Sequence, residues 1–582
     1  MKNVIFRGLT ALTLGSALAG LSTSCTKDLD QNPKYELTPD RQFADQAGYL
    51  QVLAKLYAGF AVSGQADADA ALGNSDISNI DAGTGNYLRQ YWSAQELSTD
   101  EAVISWNDPG VQDWHNMNWN ANNTPINGLY SRIYYEIAIC NEFLRESTDE
   151  KLSARNITGD AATQVRLYRA EARFLRSVSY MHVIDLFGNG PYATETTVPT
   201  VGDTPPFATR KQLFDFVEAE LLDCAKTLPE LRANQYGRVN QAAAYGFLAR
   251  LYLNAEVYTG NTPTASSTHT NGTARWTDAA RYAKLALDAG YSLVTASTSA
   301  SSAYGRNFLA DNNTSVATQE IIWPVIFDVN TTRSYGGTTF LVNGSTSTSV
   351  VPWQRIVGQT TGWGGLRGTS ALVSQFFKAG GDTARDQRGR FWLTPPRTPY
   401  QPKPNDTAKV RQYLRITNLS DFTRGPGVLK FRNVTSAGTP QGGANNFSSV
   451  DYPMLRAADM MLTYAEAVAR GGGDQTTALN YINTIRRRAF GDNSADVTWA
   501  TVSQLTNGQP EFILDERSRE LFWEGVRRTD LIRFRRFVEN TYLWPWKGGV
   551  ENGNSVGAFR ELYPLPTSDL TVNANLKQNA GY

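Results

Sequence analysis

The chain has 582 residues with Lys+Arg 55 balanced against Asp+Glu 55, so no net charge draws it to nucleic acid or to an anionic membrane surface. Hydrophobic residues make up 41%, enough for a large core, which excludes wholesale disorder. With 3 Cys and 3 His against 13 Trp, 27 Tyr and 25 Phe, the composition excludes a disulfide-dense scaffold and a four-Cys metal site, and it favours flat apolar faces over imidazole chemistry.

The N-terminus reads as an export signal. Lys2 and Arg7 form a basic head, and Leu9 to Leu21 is an uncharged apolar run. Its thirteen residues would rise only about 20 Å as a helix, short of a hydrocarbon core of about 30 Å, so it is a signal core and not a span. Ser22, Thr23 and Ser24 lead to Cys25, similar to a bacterial lipobox in which the Cys becomes the lipidated N-terminus; Ser22 stands where that motif usually has Leu. Residues 1–24 are therefore expected to be a lipoprotein signal peptide, and the polar, non-periodic residues 25–40 a lipidated tether. No later apolar stretch approaches 18 residues, so the mature chain is expected to be anchored and not spanning.

From residue 41 to 290 the pattern is helical. Apolar periodicity marks Gln42–Val62, Ile126–Arg145, Thr163–Leu186, Lys211–Leu228, Val239–Tyr258 and Trp276–Asp288, punctuated by Pro229, Gly237 and Gly290. Cys140 and Cys224 fall on these helices among apolar neighbours, which predicts buried, inert thiols; whether they pair is not legible. Val239–Tyr258 with Trp276–Asp288 resembles a helix–turn–helix repeat of the tetratricopeptide type, with Ala243, Gly246, Ala249, Ala279, Ala280 and Ala283 as close-packing positions.

Residues 291–582 open with a Gly/Ser/Thr/Asn-rich stretch in which Glu320–Val329 and Thr338–Val342 read as strands. Helical patterns return at Met454–Ala469, Gln475–Phe490 and Glu511–Phe537. The last carries Asp515/Arg519, Glu524/Arg527 and Glu524/Arg528 at helical spacing, read as a solvated or inter-helix ion-pair face.

Catalytic signatures are missing from the sequence: no H-E-x-x-H, P-loop, G-x-S-x-G or complete G-x-G-x-x-G occurs. His115, His182 and His269 have no paired ligand spacing. Asp100/Glu101 could serve glycoside hydrolysis, but capping or loop hydrogen bonding is the favoured reading. The acidic stretch Asp67, Asp69, Asp76 and Asp81 leaves room for a structural calcium ion but lacks the glycine and terminal Glu of an EF-hand, so no cofactor or metal is expected.

What rises above background is the aromatic content of the loops. Trp106, Trp114 and Trp119 sit in Asn/Gly/Asp-rich sequence, as do Trp353 and Trp363. Sugar rings pack C–H faces on flat aromatics while their hydroxyls need amide, carboxylate or guanidinium partners. The expected ligand-binding set is Trp106, Trp114, Trp353 and Trp363 as a platform, with Arg367, Asp76 and Asp81 as hydrogen-bonding partners; internal packing is the competing reading for each indole.

The ordered set of motifs resembles the SusD/RagB family of nutrient-uptake outer-membrane lipoproteins of Bacteroidetes. The resemblance is carried by Cys25 with its acidic tail, Glu96-Leu97-Ser98-Thr99-Asp100-Glu101 before a Trp-rich loop, and Tyr168–Arg176 running to Asp185–Pro191. It continues through Gly237-Arg238 before Ala242–Leu253, Leu455–Asp459, Tyr464–Ala467, Ile482–Arg486, Glu516–Leu521, Arg527–Leu531 and Tyr563-Pro564-Leu565-Pro566. It implies a mainly α, tetratricopeptide-like superhelix with long irregular loops and a few short strands, the N-terminal and C-terminal regions forming one compact unit. It further implies a non-catalytic lipoprotein on the cell surface that binds oligosaccharide and caps a SusC-like TonB-dependent β-barrel transporter like a lid. Those motifs are scaffold, so the ligand residues rest on the aromatic argument alone. A surface glycoside hydrolase and a peptide-uptake lipoprotein of the same fold remain as alternatives.

Overall fold

The computed structural model describes residues 38–65, 75–78, 80–197, 204–230, 233–346, 356–378, 385–390, 392–394, 398–399, 415–421, 425–442 and 446–582. Cys25 and Trp353, like Asp67 and Asp69, lie outside the described residues.

The periodic segments fold as helices. They are α1 (Gln46–Ala58), α2 (Thr124–Glu146), α3 (Gly159–Leu186), α4 (Arg210–Thr227), α5 (Gln241–Leu253), α6 (Trp276–Asp288), α7 (Ala457–Ala469), α8 (Gln475–Phe490), α9 (Glu511–Leu521) and α10 (Arg527–Arg533). Polar caps that satisfy otherwise orphaned amides set the starts of α1, α2, α4, α5 and α8. Asp45 accepts from Gly48 N, Asn123 from Ile126 N ahead of Pro125, and Thr209 closes a reciprocal capping box with Gln212.

Each helix packs on its chain neighbour: α2 on α3, α3 on α4, α4 on α5, α5 on α6, α6 on α7 and α7 on α8, with α1 against α3. This serial stacking is the tetratricopeptide-like spine expected from the sequence. Close approach depends on small residues. Ala243, Ala249, Ala279 and Ala283 are fully buried, and a Cβ at Gly246 would meet Leu455 Cδ2 at 2.3 Å. Trp323 plugs the centre, edge-on to Phe60, Phe174 and Phe247 with ring centroids 5.4–5.7 Å apart. Cys140 and Cys224 are free and buried, and burial pushes both thiols up, Cys224 to about 12.

Short antiparallel pairs tie the loops to the spine. β1 (Ala102–Ile104) pairs with β3 (Leu366–Gly368), and β2 (Ile321–Val325) pairs with β4 (Tyr452–Arg456). Two expected elements differ. Residues Gly337–Gly344 form a helix where Thr338–Val342 reads as a strand, because the short run Thr-Thr-Phe-Leu-Val, buried throughout, carries no period that separates the two. The pattern over Glu511–Phe537 breaks at residues 522–526, where Trp523 and Gly525 take φ of +64° and +71°.

That break re-sorts the expected ion pairs. Glu524 binds Lys430 and Arg456, Arg527 binds Asp100, Arg528 binds Asp185, and Arg519 binds Glu516. The face read as a solvated or inter-helix ion-pair face is buried. Glu320, Glu516, Glu520 and Glu524 interleave with Arg388, Arg456, Arg486, Arg488, Arg519 and Lys430, all under 10% exposed.

Candidate ligand-binding site

The β1–β3 register runs Ala102↔Gly368, Val103↔Arg367 and Ile104↔Leu366, and Ser105 N donates to Gly365 O at 2.9 Å. The pairing therefore delivers Trp106, at the end of one strand, beside Trp363, just before the other. Their ring centroids stand 6.3 Å apart at 50°. Tyr335 follows on the far side of Trp363, at 6.2 Å and 47°, and itself leans on Phe447 at 5.2 Å. Trp106 and Trp363 are half-buried and Tyr335 is 38% exposed, so the three rings form a continuous, tilted aromatic arc open to solvent.

The arc is held from beneath. Phe340, on the helix Gly337–Gly344, packs edge-on under Trp106 at 5.9 Å, and the end of that helix accepts Trp363 N on Asn343 O at 2.7 Å. Gly365 has φ +104°, and a Cβ there would meet Trp106 Nε1 at 2.3 Å, so the indole lies directly on the glycine backbone.

A polar fringe borders the rings. The guanidinium of Arg89, on the short helix Tyr87–Trp92, stacks 4.6 Å over Phe340 and 5.6 Å over Trp106, and burial lowers it to about 10 despite nearby Asp81 and Asp108. A Cβ at Gly83 would meet Arg89 Nη1 at 2.9 Å, Asp81 Oδ1 at 3.2 Å and Tyr335 Cβ at 3.5 Å, so these three groups converge at one edge of the arc. Exposed Asn107 and Asp108 follow Trp106, with Asp108 near enough to act on Arg89 as Asp81 does. Asn86 couples the fringe to the arc: its Oδ1 caps Arg89 N, and its Nδ2 donates to Ser334 Oγ beside Tyr335.

Of the residues expected from sequence, the structure brings together Trp106, Trp363 and Asp81. Trp114 is elsewhere. It is 2% exposed, edge-on to Tyr563 at 5.3 Å and beside Trp119, and it serves the core. Arg367 is fully buried in β3, where it donates to the carbonyls of Asp421 and Leu419 and to Ser105 Oγ; it fixes the strand pair and offers nothing to a ligand. Asp76 is paired with Lys55 at 2.6 Å and Arg132 at 3.1 Å, which also grips the carbonyls of Ser63 and Gly85. Tyr335 and Arg89 were not legible as site residues. The only signal for Tyr335 is an aromatic in Ser-Tyr-Gly-Gly, and nothing in the helix pattern around Arg89 distinguishes it.

Asp100 and Glu101 are buried, Asp100 in a bidentate pair with Arg527, so neither faces a substrate-sized opening on the arc. Among the described residues no group of three or more His, Cys, Asp or Glu side chains could hold a metal ion, and no helix is long and apolar enough to cross a membrane.

Known proteins fit this architecture. The family profile described as "SusD family" matches residues 319–582, and the one described as "Starch-binding associating with outer membrane" matches residues 74–253. The starch-binding protein SusD of Bacteroides thetaiotaomicron is 32% identical over 609 aligned positions, covering 100% of both chains. Among solved structures, a SusD homologue from the same species superposes with a TM-score of 0.66 at 19% identity, covering 94% of this chain and 98% of that one. The surface glycan-binding protein A of B. thetaiotaomicron, solved in complex with laminarihexaose, gives 0.62 at 18% identity, over 92% and 99%. The chain belongs to the SusD family, whose members bind and do not catalyse.

Proposed function

We propose that this protein captures oligosaccharide at the cell surface and delivers it to a SusC-like TonB-dependent barrel, over which it closes as a lid. Cys25 supplies the lipid anchor to the outer membrane, as its place after an export core suggests. The observation that carries the binding reading is the arc Trp106–Trp363–Tyr335 with Arg89, Asp81, Asn107 and Asp108 along its edges. Three rings stepped by about 50° make a curved and not a planar platform, which favours a helically coiled α-glucan over a flat ribbon. The name of the starch-binding relative points the same way. Stacking and fringe hydrogen bonds at an open site supply roughly 1 kcal/mol per ring, so affinity accumulates over several sugar units.

Calorimetric titration with maltoheptaose, against cellohexaose and laminarihexaose, tests this reading. Binding of the α-glucan is expected without new reducing ends, weakened several-fold by Trp363→Ala with an unchanged melting temperature. Equal affinity of wild type and of a Trp106→Ala/Trp363→Ala/Tyr335→Ala variant for every glycan would overturn it.

A further inference from the structure

Behind the strand that presents Trp106 lie two carboxyls, Glu96 and Glu101, 0% and 1% exposed. Glu96 lies in the wide π-helical turn Ser93–Leu97, and Glu101 directly precedes β1. Both aim at the turn between α9 and α10. Glu96 Oε1 accepts from Gly525 N at 2.6 Å, while Glu101 accepts from Ser518 Oγ at 2.7 Å and Trp523 N at 3.3 Å. The left-handed residues Trp523 and Gly525 turn their amides to one spot, where the two carboxyls meet.

Cations offset them only in part. Arg527 approaches Glu101 only to 3.6 Å, and its fork is already held by Asp100 through two 2.7 Å bonds, with Tyr542 donating to the same carboxylate. Lys430 is bound to Glu524 at 2.6 Å and to Phe522 O. The remaining groups facing the pair are the hydroxyls of Tyr91 and Tyr452, which carry no positive charge. The second oxygen of Glu96 meets no N–H and no cation and lies against Glu101. Two buried carboxylates in contact cannot both stay ionised. Burial pushes both up, Glu101 to about 7, with the neighbouring Glu101 raising Glu96 further.

We propose that Glu96 and Glu101 share one proton near neutral pH and act together as positioning residues for the ligand platform, clasping the Trp106 strand to the 523–525 turn and loosening it as pH rises. The platform role rests on the glycan-binding reading above; the clasp itself does not. The native pair keeps a proton that the unfolded chain releases above about pH 4.5, so its contribution declines as pH climbs through the folded value. Loss of the proton sets two negative charges against each other one strand away from Trp106.

The test follows maltoheptaose affinity and melting temperature of the protein from pH 6 to pH 9, for wild type and Glu96→Gln. The Gln keeps an acceptor for Gly525 N and gives Glu101 a neutral donor. Wild type should lose affinity several-fold and melt progressively lower, while Glu96→Gln should hold its affinity and show a shallower melting slope. Superimposable slopes for the two proteins would overturn the clasp. If the variant does not fold, infrared difference spectra of wild type and Glu101→Gln decide. Burial also raises Glu136 to about 8 and Asp451 to about 7, so the shared proton is the part of the buried carboxylic C=O band lost between pH 6 and 9 that Glu101→Gln removes. A band unchanged by that substitution refutes it. Should no glycan bind at all, the melting slopes and the infrared band still judge the clasp, so its failure and that of the binding reading are separable.

Discussion

At the scale of single residues, the molecule assigns the same side chain opposite duties. Trp106 and Trp363 stand half-buried on an open arc, whereas Trp114 is sealed against Tyr563 and Trp119. All three sit in polar, glycine-rich sequence, so residue type and neighbours along the chain predict an aromatic surface without saying which indole reaches it. The sorting is done by strand register and by backbone contact, neither of which is written locally. Trp114→Ala should cost about 3–5 kcal/mol through lost burial and a residual cavity, read as a lowered melting temperature. Gly365→Ala should act differently. Its φ of +104° and the indole 2.3 Å from the new Cβ force Trp106 aside, so titration should register a loss of glycan affinity comparable with Trp106→Ala alongside a destabilisation of about 1–3 kcal/mol.

At the scale of elements, what could be read was what repeats. The helices α2 to α8 each bury one face on the next, so their periodicity survives in the sequence and their positions follow from it. The strands β1 and β3 are three residues each and pair across more than 250 positions, and no local pattern announces such a partnership. The C-terminal charges read as a solvated or an inter-helix ion-pair face, and the structure takes the second, buried form. Glutamate and arginine at helical spacing describe an exposed helix equally well as a buried network, and the distinction lies in what packs over them. Here Arg456 alone joins Glu320, Glu520 and Glu524, linking β2, β4, α9 and the turn after it. Removing one partner leaves uncompensated buried charge, so Arg456→Ala should destabilise by about 3–5 kcal/mol in denaturant titrations. Raising salt to 1 M should barely change the wild-type midpoint from this source, since the pairs are shielded from mobile ions.

At the scale of the whole molecule, the spine is a rigid frame whose loops converge on one arc, and its C-terminal half is locked by carboxylates that must stay charged. Asp459, Glu466 and Glu520 are fully buried and held down at about 2; burial opposes this, but Arg250 and Arg517, Arg533 and Arg470, and Arg488, Arg456 and Arg388 outweigh it. A carboxyl whose folded value lies below its unfolded one contributes stability that is present above about pH 4 and lost as pH falls toward the folded value. Protonating any of the three leaves buried arginines short of a counter-charge, a cost that weighs heavily against a typical domain stability of roughly 5–15 kcal/mol. The imidazoles of His115 and His182 add to the same limb. Burial lowers both to about 3, so the unfolded chain takes up protons below about pH 6.5 that the native state refuses. Between pH 6.5 and 4.5 the imidazoles are opposed by carboxyls that burial raises, Glu96, Glu101, Glu136 and Asp451. Stability measured by denaturant unfolding should therefore change little there and fall steeply below pH 4.5, with cooperative acid unfolding before pH 2. Glu466→Gln should lower stability at pH 7 by taking the carboxylate from Arg470 and one of two from Arg533, which keeps Asp530, yet make the acid limb less steep. An acid limb of unchanged slope in that variant would show that the buried network is not what acid attacks.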